Sequence, residues 1–175
     1  MSCHEMPMRV VFLNQYFPPD PAPTGVLFGE LAEGLRARGH EVVLIDAGQD
    51  YRAGQGRGMR VLREGAALVR MLARGVWMRG ADVVVSGSSP PCVAVVAAVV
   101  ALRHGAAHLH WCMDLYPEVA VALREIGDGK AGALIRWLMR LAYRRAYSVV
   151  ALDADMERAL QRYGVGTQAC RLIKS

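Results

Sequence analysis

Short runs of apolar, largely β-branched residues alternate along this chain with longer stretches in which apolar residues recur every three to four positions. Because the short runs are apolar at successive positions, they predict strands of a parallel sheet covered on both faces by helices. The fold class expected is therefore α/β, a doubly wound, Rossmann-like parallel sheet of five to six strands, with 3-2-1-4-5 as the default strand order. The predicted strands are Arg9–Asn14, Glu41–Asp46, Ala81–Gly87, Ala107–Met113 and Ser148–Leu152, with a sixth beginning at Cys170.

The intervening stretches predict helices whose ends carry ordinary stop and start signals. Gly39 ends the first, Pro90-Pro91 opens the third, and Asp153 caps the last. The predicted helices are Gly25–Arg38, Met59–Arg79, Pro90–Arg103, Glu118–Glu125, Ala131–Tyr147 and Asp153–Tyr163. A length of 175 residues suits one domain. We expect residues 1–8 to be a disordered N-terminal segment and residues 9–175 to form that single domain.

The composition and charge limit the classes of protein that fit this chain, but they do not identify its partner. A formal charge of +5 suits a phosphate, a lipid headgroup or another anion. The four cysteines are scattered, with no C-x-x-C pair, and the N-terminus lacks a signal-peptide pattern. The apolar run Val93–Leu102 is about half the length that crosses a bilayer. These features favour a cytoplasmic protein that touches, at most, the inner membrane surface.

The loop after the first strand, Asn14–Gly25, is rich in prolines and aromatics where a dinucleotide-binding protein has G-x-G-x-x-G. Prolines remove amide donors, so most of this loop makes a poor phosphate cradle. Its end, Pro23-Thr24-Gly25, leads into a helix N-terminus that can meet one anion. Asn14 and Gln15 are placed either for sugar hydroxyls or for the loop's own backbone.

Four segments, in this order, resemble one enzyme family. They are "NQYFPPDPAPTG…ELAEGLRARGHEVVLI", "SSPP", "DLYPEVAVAL" and "VVALDADMERAL…YGV". Together they are similar to the N-terminal, acceptor-side domain of GT-B, family-four-type retaining glycosyltransferases of bacterial polysaccharide biosynthesis. The similarity extends from Met8 onward.

The resemblance implies roles for particular residues. Gly25, with the backbone near Thr24, matches the turn that approaches the donor diphosphate. Asp114 matches a catalytic-site position that faces the acceptor or the transferred sugar, and Glu118 lies in the same motif. Capping of a helix is the alternative interpretation of both acids. Retention in this family implies attack on the same face with help from the leaving phosphate, with no metal and no cofactor.

The resemblance also implies partners. Members of the family bind the nucleotide-sugar donor in a second, C-terminal α/β domain, and the printed sequence ends at Ser175 without one. We therefore expect the chain to be inactive alone, as a fragment, a truncated gene product or one subunit of a split enzyme. The expected acceptor is a glycan or a lipid-linked sugar, and no nucleic-acid-binding module is recognised.

Three residues of the fourth predicted strand alternate and so share one face: His108, His110 and Cys112. Packing beneath a helix is expected, with a zinc site as the lesser alternative. His110 lies nearest the carboxyl end of the strand, and we expect it to reach the cleft as a substrate-binding residue.

Two predicted helices carry arginine stripes, the first with Arg60, Arg63, Arg70 and Arg74, the second with Arg136, Arg140, Arg144 and Arg145 beside Trp137 and Tyr143. Such stripes are either solvated faces or a surface for an anionic membrane.

Two other functions stay open on the sequence. An NAD-type Rossmann domain is suggested by Asp46, which follows Gly25 by about the spacing of a ribose-binding acid. A non-catalytic module that binds a membrane or a partner is the other.

Overall fold

The computed structural model describes residues 6–48, 57–116, 118–119 and 129–172. Most of the predicted helix Glu118–Glu125 and residues 1–5 of the predicted N-terminal segment lie outside these ranges. The described elements, in chain order, are β1 Arg9–Leu13, α1 Pro23–Ala37, β2 Glu41–Ile45, α2 Arg57–Trp77, β3 Val83–Ser86, α3 Val93–His104, β4 Ala107–Cys112, α4 Lys130–Arg145, β5 Ser148–Ala151, α5 Ala154–Arg162 and β6 Cys170–Leu172. The predicted doubly wound α/β class is confirmed.

All six strands run parallel in one sheet, in the order β2-β1-β3-β4-β5-β6. The predicted order 3-2-1-4-5 is wrong, because β3 pairs with β1 rather than beyond β2. The connection through α2 carries the chain back across β1, so Val10 pairs with Val42 on one side and with Val83 on the other. Because β1 is apolar on both faces, its sequence alone does not indicate that β2 and β3 are its neighbours.

The direction of each crossover decides which face of the sheet its helix covers, because parallel crossovers are right-handed. The connection from β1 to β2 runs one way across the sheet, and all later connections run the other way. Helices α2 to α5 therefore pack on one face, over residues such as Val11, Val84 and Val149. On the opposite face, α1 packs through Phe28 and Ala32, and it is the only helix found there among the described residues.

Helices α2 and α3 approach each other closely at one glycine. A Cβ added to Gly75 would lie 2.5 Å from Cγ2 of Val100, which is fully buried. In contrast, a Cβ at Gly65 of the same helix would meet nothing within 4 Å. Among the described residues, no helix is both long and apolar enough to cross a bilayer.

This pair of glycines gives a matched test of the packing. Gly75→Ala should lower the free energy of unfolding by about 1–3 kcal/mol, because the new methyl group overpacks the contact with Val100. Gly65→Ala should raise it by about 0.5–1 kcal/mol, because alanine favours an open helical position. Urea denaturation followed by circular dichroism measures both. Equal effects of the two substitutions would contradict the α2–α3 contact.

Candidate functional site

The chain leaves neighbouring strands β1 and β3 toward opposite faces of the sheet, so a crevice forms where these strands end. Two backbone bonds hold its walls together. The amide of Gln15 donates to the carbonyl of Ser89 at 2.7 Å, and the amide of Gly87 donates to the carbonyl of Leu13 at 3.1 Å. A Cβ at Gly87 would lie 2.5 Å from Asn14 Oδ1, so glycine is required for this close approach.

Asn14 and Gln15 point into the protein rather than into the open crevice. Asn14 is fully buried, and its Nδ2 donates to the carbonyl of Tyr16 at 2.9 Å. Gln15 is also buried, and its Nε2 donates to the hydroxyl of Tyr16. These contacts match the structural alternative, in which the two amides serve the loop itself. Their predicted role toward sugar hydroxyls stays a prediction.

The proline-rich loop packs against the first turns of α1. Phe17 is buried in the cluster beneath this helix, and a Cβ at Gly29 would lie 2.5 Å from Cγ of Pro18. At Gly25 a Cβ would lie 3.1 Å from the backbone carbon and oxygen of Tyr16. The glycines of α1 thus let the loop lie directly on the helix, which explains the prolines and aromatics.

The N-terminus of α1 is the part of this loop suited to an anion. The helix begins at Pro23, no side chain caps it, and its first turn has no acidic residue. The amides of Thr24 and Gly25 follow directly, within the turn where helix donors lack intrahelical partners. This arrangement can bind one phosphate-sized group.

Ser88 connects the loop after β3 to the loop after β4. Its hydroxyl accepts hydrogen bonds from the amides of Met113 at 2.8 Å and Asp114 at 3.2 Å, and it donates to the carbonyl of Trp111 at 3.2 Å. Ser88 is buried, whereas Asp114 is exposed. The serine therefore fixes the backbone of Asp114 at the crevice and leaves its carboxylate in solvent.

Glu118 has a different partner from Asp114. Its Oε1 accepts a hydrogen bond from the hydroxyl of Tyr163, the residue that follows α5. Burial and this bond to Glu118 raise the pKa of Tyr163 well above its usual value, so the hydroxyl remains a donor. The structure thus joins Glu118 to the β5–β6 side of the sheet, and its predicted role in substrate binding stays a prediction.

His110 is buried beside the crevice rather than open to solvent, and its predicted role as a substrate-binding residue that reaches the cleft stays a prediction. His110 is 1% exposed and packs against the ring of Tyr143, with centroids 5.2 Å apart. Its Nδ1 and the Nε2 of His108 each lie 2.9 Å from Ser86 Oγ. Since one hydroxyl can donate to only one ring, it accepts from the other.

Burial also keeps both imidazoles neutral. It lowers the pKa of His108 to about 4, and burial together with the neighbouring His108 lowers that of His110 to about 3. Within the described residues, the far ring nitrogens, His108 Nδ1 and His110 Nε2, are buried without a hydrogen-bond partner. Protonation would place a charge in this buried cluster.

The remaining residue of the alternating set, Cys112, makes a separate contact. Its thiol donates to the carbonyl of Asp114 at 3.5 Å, and burial raises its pKa to about 12. In the part of the chain that the structure describes, no group of three or more histidine, cysteine or acidic residues could hold a metal ion.

Asp46, the residue that suggested a dinucleotide, is engaged by its own loop. Its Oδ1 accepts from the amide of Gly48 at 3.0 Å and from Arg74 at 3.3 Å. Arg70 donates to the carbonyl of Ala47 at 3.0 Å. Two arginines of the α2 stripe therefore hold the end of β2.

Comparison with known proteins agrees with this fold. Residues 24–174 match the profile of a family described as a glycosyl transferase 4-like domain. The Anabaena protein HepE, solved with UDP-glucose, superposes with a TM-score of 0.55 at 15% identity, over 95% of this chain and 43% of that one. Its complex with UDP gives 0.50 at 13% identity, over 95% and 43%. The chain thus spans less than half the length of these solved chains. A search of curated proteins gave no match.

The buried histidines make stability depend on pH in a definite direction. Their pKa values are lower in the folded state than the ~6.5 of an unfolded histidine, so their full contribution is present above pH 6.5 and is lost as the pH falls toward 4. Between pH 7 and pH 5 the free energy of unfolding should fall by up to about 4 kcal/mol from the pair. Urea denaturation at both pH values measures this.

The double variant His108→Gln and His110→Asn retains a polar atom near each bond to Ser86 but cannot be protonated in this range. The free energy of unfolding of this variant should lose most of its dependence on pH between pH 7 and pH 5. His104→Gln, at the C-terminal end of α3, should keep the pH dependence. An unchanged pH dependence in the double variant would disprove the role assigned to the cluster.

Proposed function

Because this chain belongs to the glycosyl transferase 4-like domain family, we propose that it is the acceptor-binding half of a retaining glycosyltransferase. The complete enzyme would transfer a sugar, of the hexose type, from a nucleotide-sugar to a glycan or lipid-linked acceptor in bacterial polysaccharide biosynthesis. The nucleotide-sugar is held mainly by a second α/β domain. HepE, which shares the fold, was solved with UDP-glucose, and this supports a uridine nucleotide as the first donor to test.

The observation that supports this proposal is that two groups suited to the substrates follow the carboxyl ends of β1, β3 and β4, which lie side by side in the sheet. The uncapped α1 N-terminus at Thr24 and Gly25 supplies amides for the donor diphosphate. Ser88 presents Asp114 from the other side of the crevice. An exposed carboxylate so held can hydrogen-bond the acceptor hydroxyl or the transferred sugar, which orients the reacting groups.

The site residues then divide into two kinds. Asp114 acts on the substrates, and Thr24 and Gly25 bind the diphosphate through their backbone. Asn14 and Gln15 hold the loop that carries α1, and Glu118 is tied to Tyr163. His110 supports β4 from within the sheet layer.

The proposal predicts that the 175-residue polypeptide does not transfer sugar by itself but does so when a donor-binding domain of the same family is supplied. The assay uses radiolabelled UDP-glucose and extracted lipid-linked sugars. In the complemented assay Asp114→Asn should lower kcat by about 100-fold, whereas exposed Asp155→Asn should not. Transfer by the isolated polypeptide would contradict the division of labour. Stabilisation by NAD in a thermal shift assay would favour the dinucleotide alternative.

We also propose that helix α4 rests on an anionic membrane, which suits a lipid-linked acceptor on the inner face of the membrane. Leu134, Trp137 and Leu141 form an exposed stripe along this helix, with Trp137 55% exposed. Arg140, Arg144 and Arg145 add positive charge on the same helix. Tyr143, expected to share this face, is instead buried in the core.

Flotation with vesicles tests the membrane surface. The chain should bind phosphatidylglycerol vesicles and not phosphatidylcholine vesicles, because both an apolar stripe and charge attraction are needed. Trp137→Glu should abolish binding, while Trp77→Glu, a matched change at an exposed tryptophan of α2, should leave it unchanged. If both variants lose vesicle binding equally, the membrane contact is not the exposed stripe of α4.

A further inference from the structure

The loop after β4, which carries Asp114, receives hydrogen bonds from two tyrosine side chains. Tyr143 lies in α4, and its hydroxyl donates to the carbonyl of Tyr116 at 3.3 Å. Tyr163 directly follows α5, and its hydroxyl donates to the carboxylate of Glu118. These bonds therefore hold the loop at the second and the fourth residue beyond Asp114.

The two tyrosines form one buried unit. Tyr143 is 1% exposed and Tyr163 is 8% exposed, and their rings meet edge to face with centroids 5.6 Å apart. Tyr143 also packs against the ring of His110 on β4. Burial raises the pKa of both phenols above the usual value, so both hydroxyls stay protonated and can donate. The core thus holds the rings, and the hydroxyls hold the loop.

The backbone of Asp114 lies between two anchors. Ser88 accepts a hydrogen bond from the amide of Asp114 at 3.2 Å, and Tyr143 binds the carbonyl of Tyr116 farther along the loop. Tyr143 lines the same narrow pocket as Ser88 and Asp114. Holding a short segment at both ends limits the directions in which its side chains can point. The orientation of reacting groups contributes strongly to the rate of a reaction.

We propose that Tyr143 and Tyr163 are positioning residues for sugar transfer, which orient the Asp114 carboxylate through the loop that both hydroxyls hold. The inference rests on the proposed function, because it takes Asp114 to act on the substrates. Glu118 then anchors the loop instead of binding a substrate. A hydrogen bond to a carboxylate is stronger than one to a neutral carbonyl, so Tyr163 contributes more to this hold than Tyr143.

Substitution by phenylalanine separates the hydroxyls from the packing of the rings. In the complemented transfer assay, Tyr163→Phe should lower kcat by about tenfold and leave the KM for UDP-glucose unchanged, because a misplaced Asp114 slows transfer without weakening donor binding. Tyr143→Phe should give a smaller loss of the same kind. The matched control is Tyr147→Phe, at a tyrosine that is 75% exposed, and it should change neither constant.

Glu118 distinguishes an anchor from a substrate ligand. If Glu118 is an anchor, Glu118→Ala should lower kcat as much as Tyr163→Phe does. The double variant should then be no slower than either single variant, because both changes remove the same hydrogen bond. A Glu118→Ala variant that raises the KM for the acceptor, with a loss that adds to that of Tyr163→Phe, would overturn the inference.

Hydrogen exchange followed by mass spectrometry examines the loop without any need for activity. In the 175-residue chain, the amides of residues 113–116 should exchange at least about tenfold faster in Tyr163→Phe than in the unaltered chain, while those of β1 keep their rates. Unchanged exchange would overturn the anchoring, and faster exchange with an unchanged kcat would overturn the positioning role. If the unaltered complemented enzyme transfers no sugar, the proposed function fails, and the exchange rates still decide whether the tyrosines hold the loop.

Discussion

The pairing of β3 with β1 determines most of this structure. This pairing requires the chain to cross back over β1 through α2. The direction in which successive connections run across the sheet therefore reverses between the adjacent strands β1 and β3. Helices α1 and α3 consequently leave toward opposite faces, and the space between their N-terminal ends becomes the crevice. The contact between Gly87 and Asn14 and the bond from Gln15 to Ser89 exist only because of this pairing.

Much of the fold follows from local sequence pattern, and the strand order does not. The apolar runs and the helical spacing predict the six strands and the positions of the described helices to within a few residues. The strand order depends on which strands pair with one another, and the valines of β1 can pack equally well beside β2 and β3. The unequal division of helices between the two faces follows from that order, so it too could not be predicted.

The candidate site was predictable in its location but not in its internal contacts. Asp114 and Thr24-Gly25 follow strands whose carboxyl ends meet, which alternation alone indicates. Ser88 carries no such signal, because its partners are backbone amides on a distant segment. His110 shows that burial is harder to predict than position along a strand. Its position near a strand end suggested the cleft, but strand alternation placed it on the face that α3 and α4 cover.

Paired strands on the two sides of the crevice are separated by different lengths of chain. From β3 to β6 each strand pairs with the next in sequence, whereas Val10 must pair with Val83 across an intervening strand and two helices. Closing the longer loop costs more chain entropy. The junction that forms the crevice is therefore the least locally encoded part of the molecule, and separation of the β1–β2 unit there would dismantle the site while leaving β3 to β6 paired.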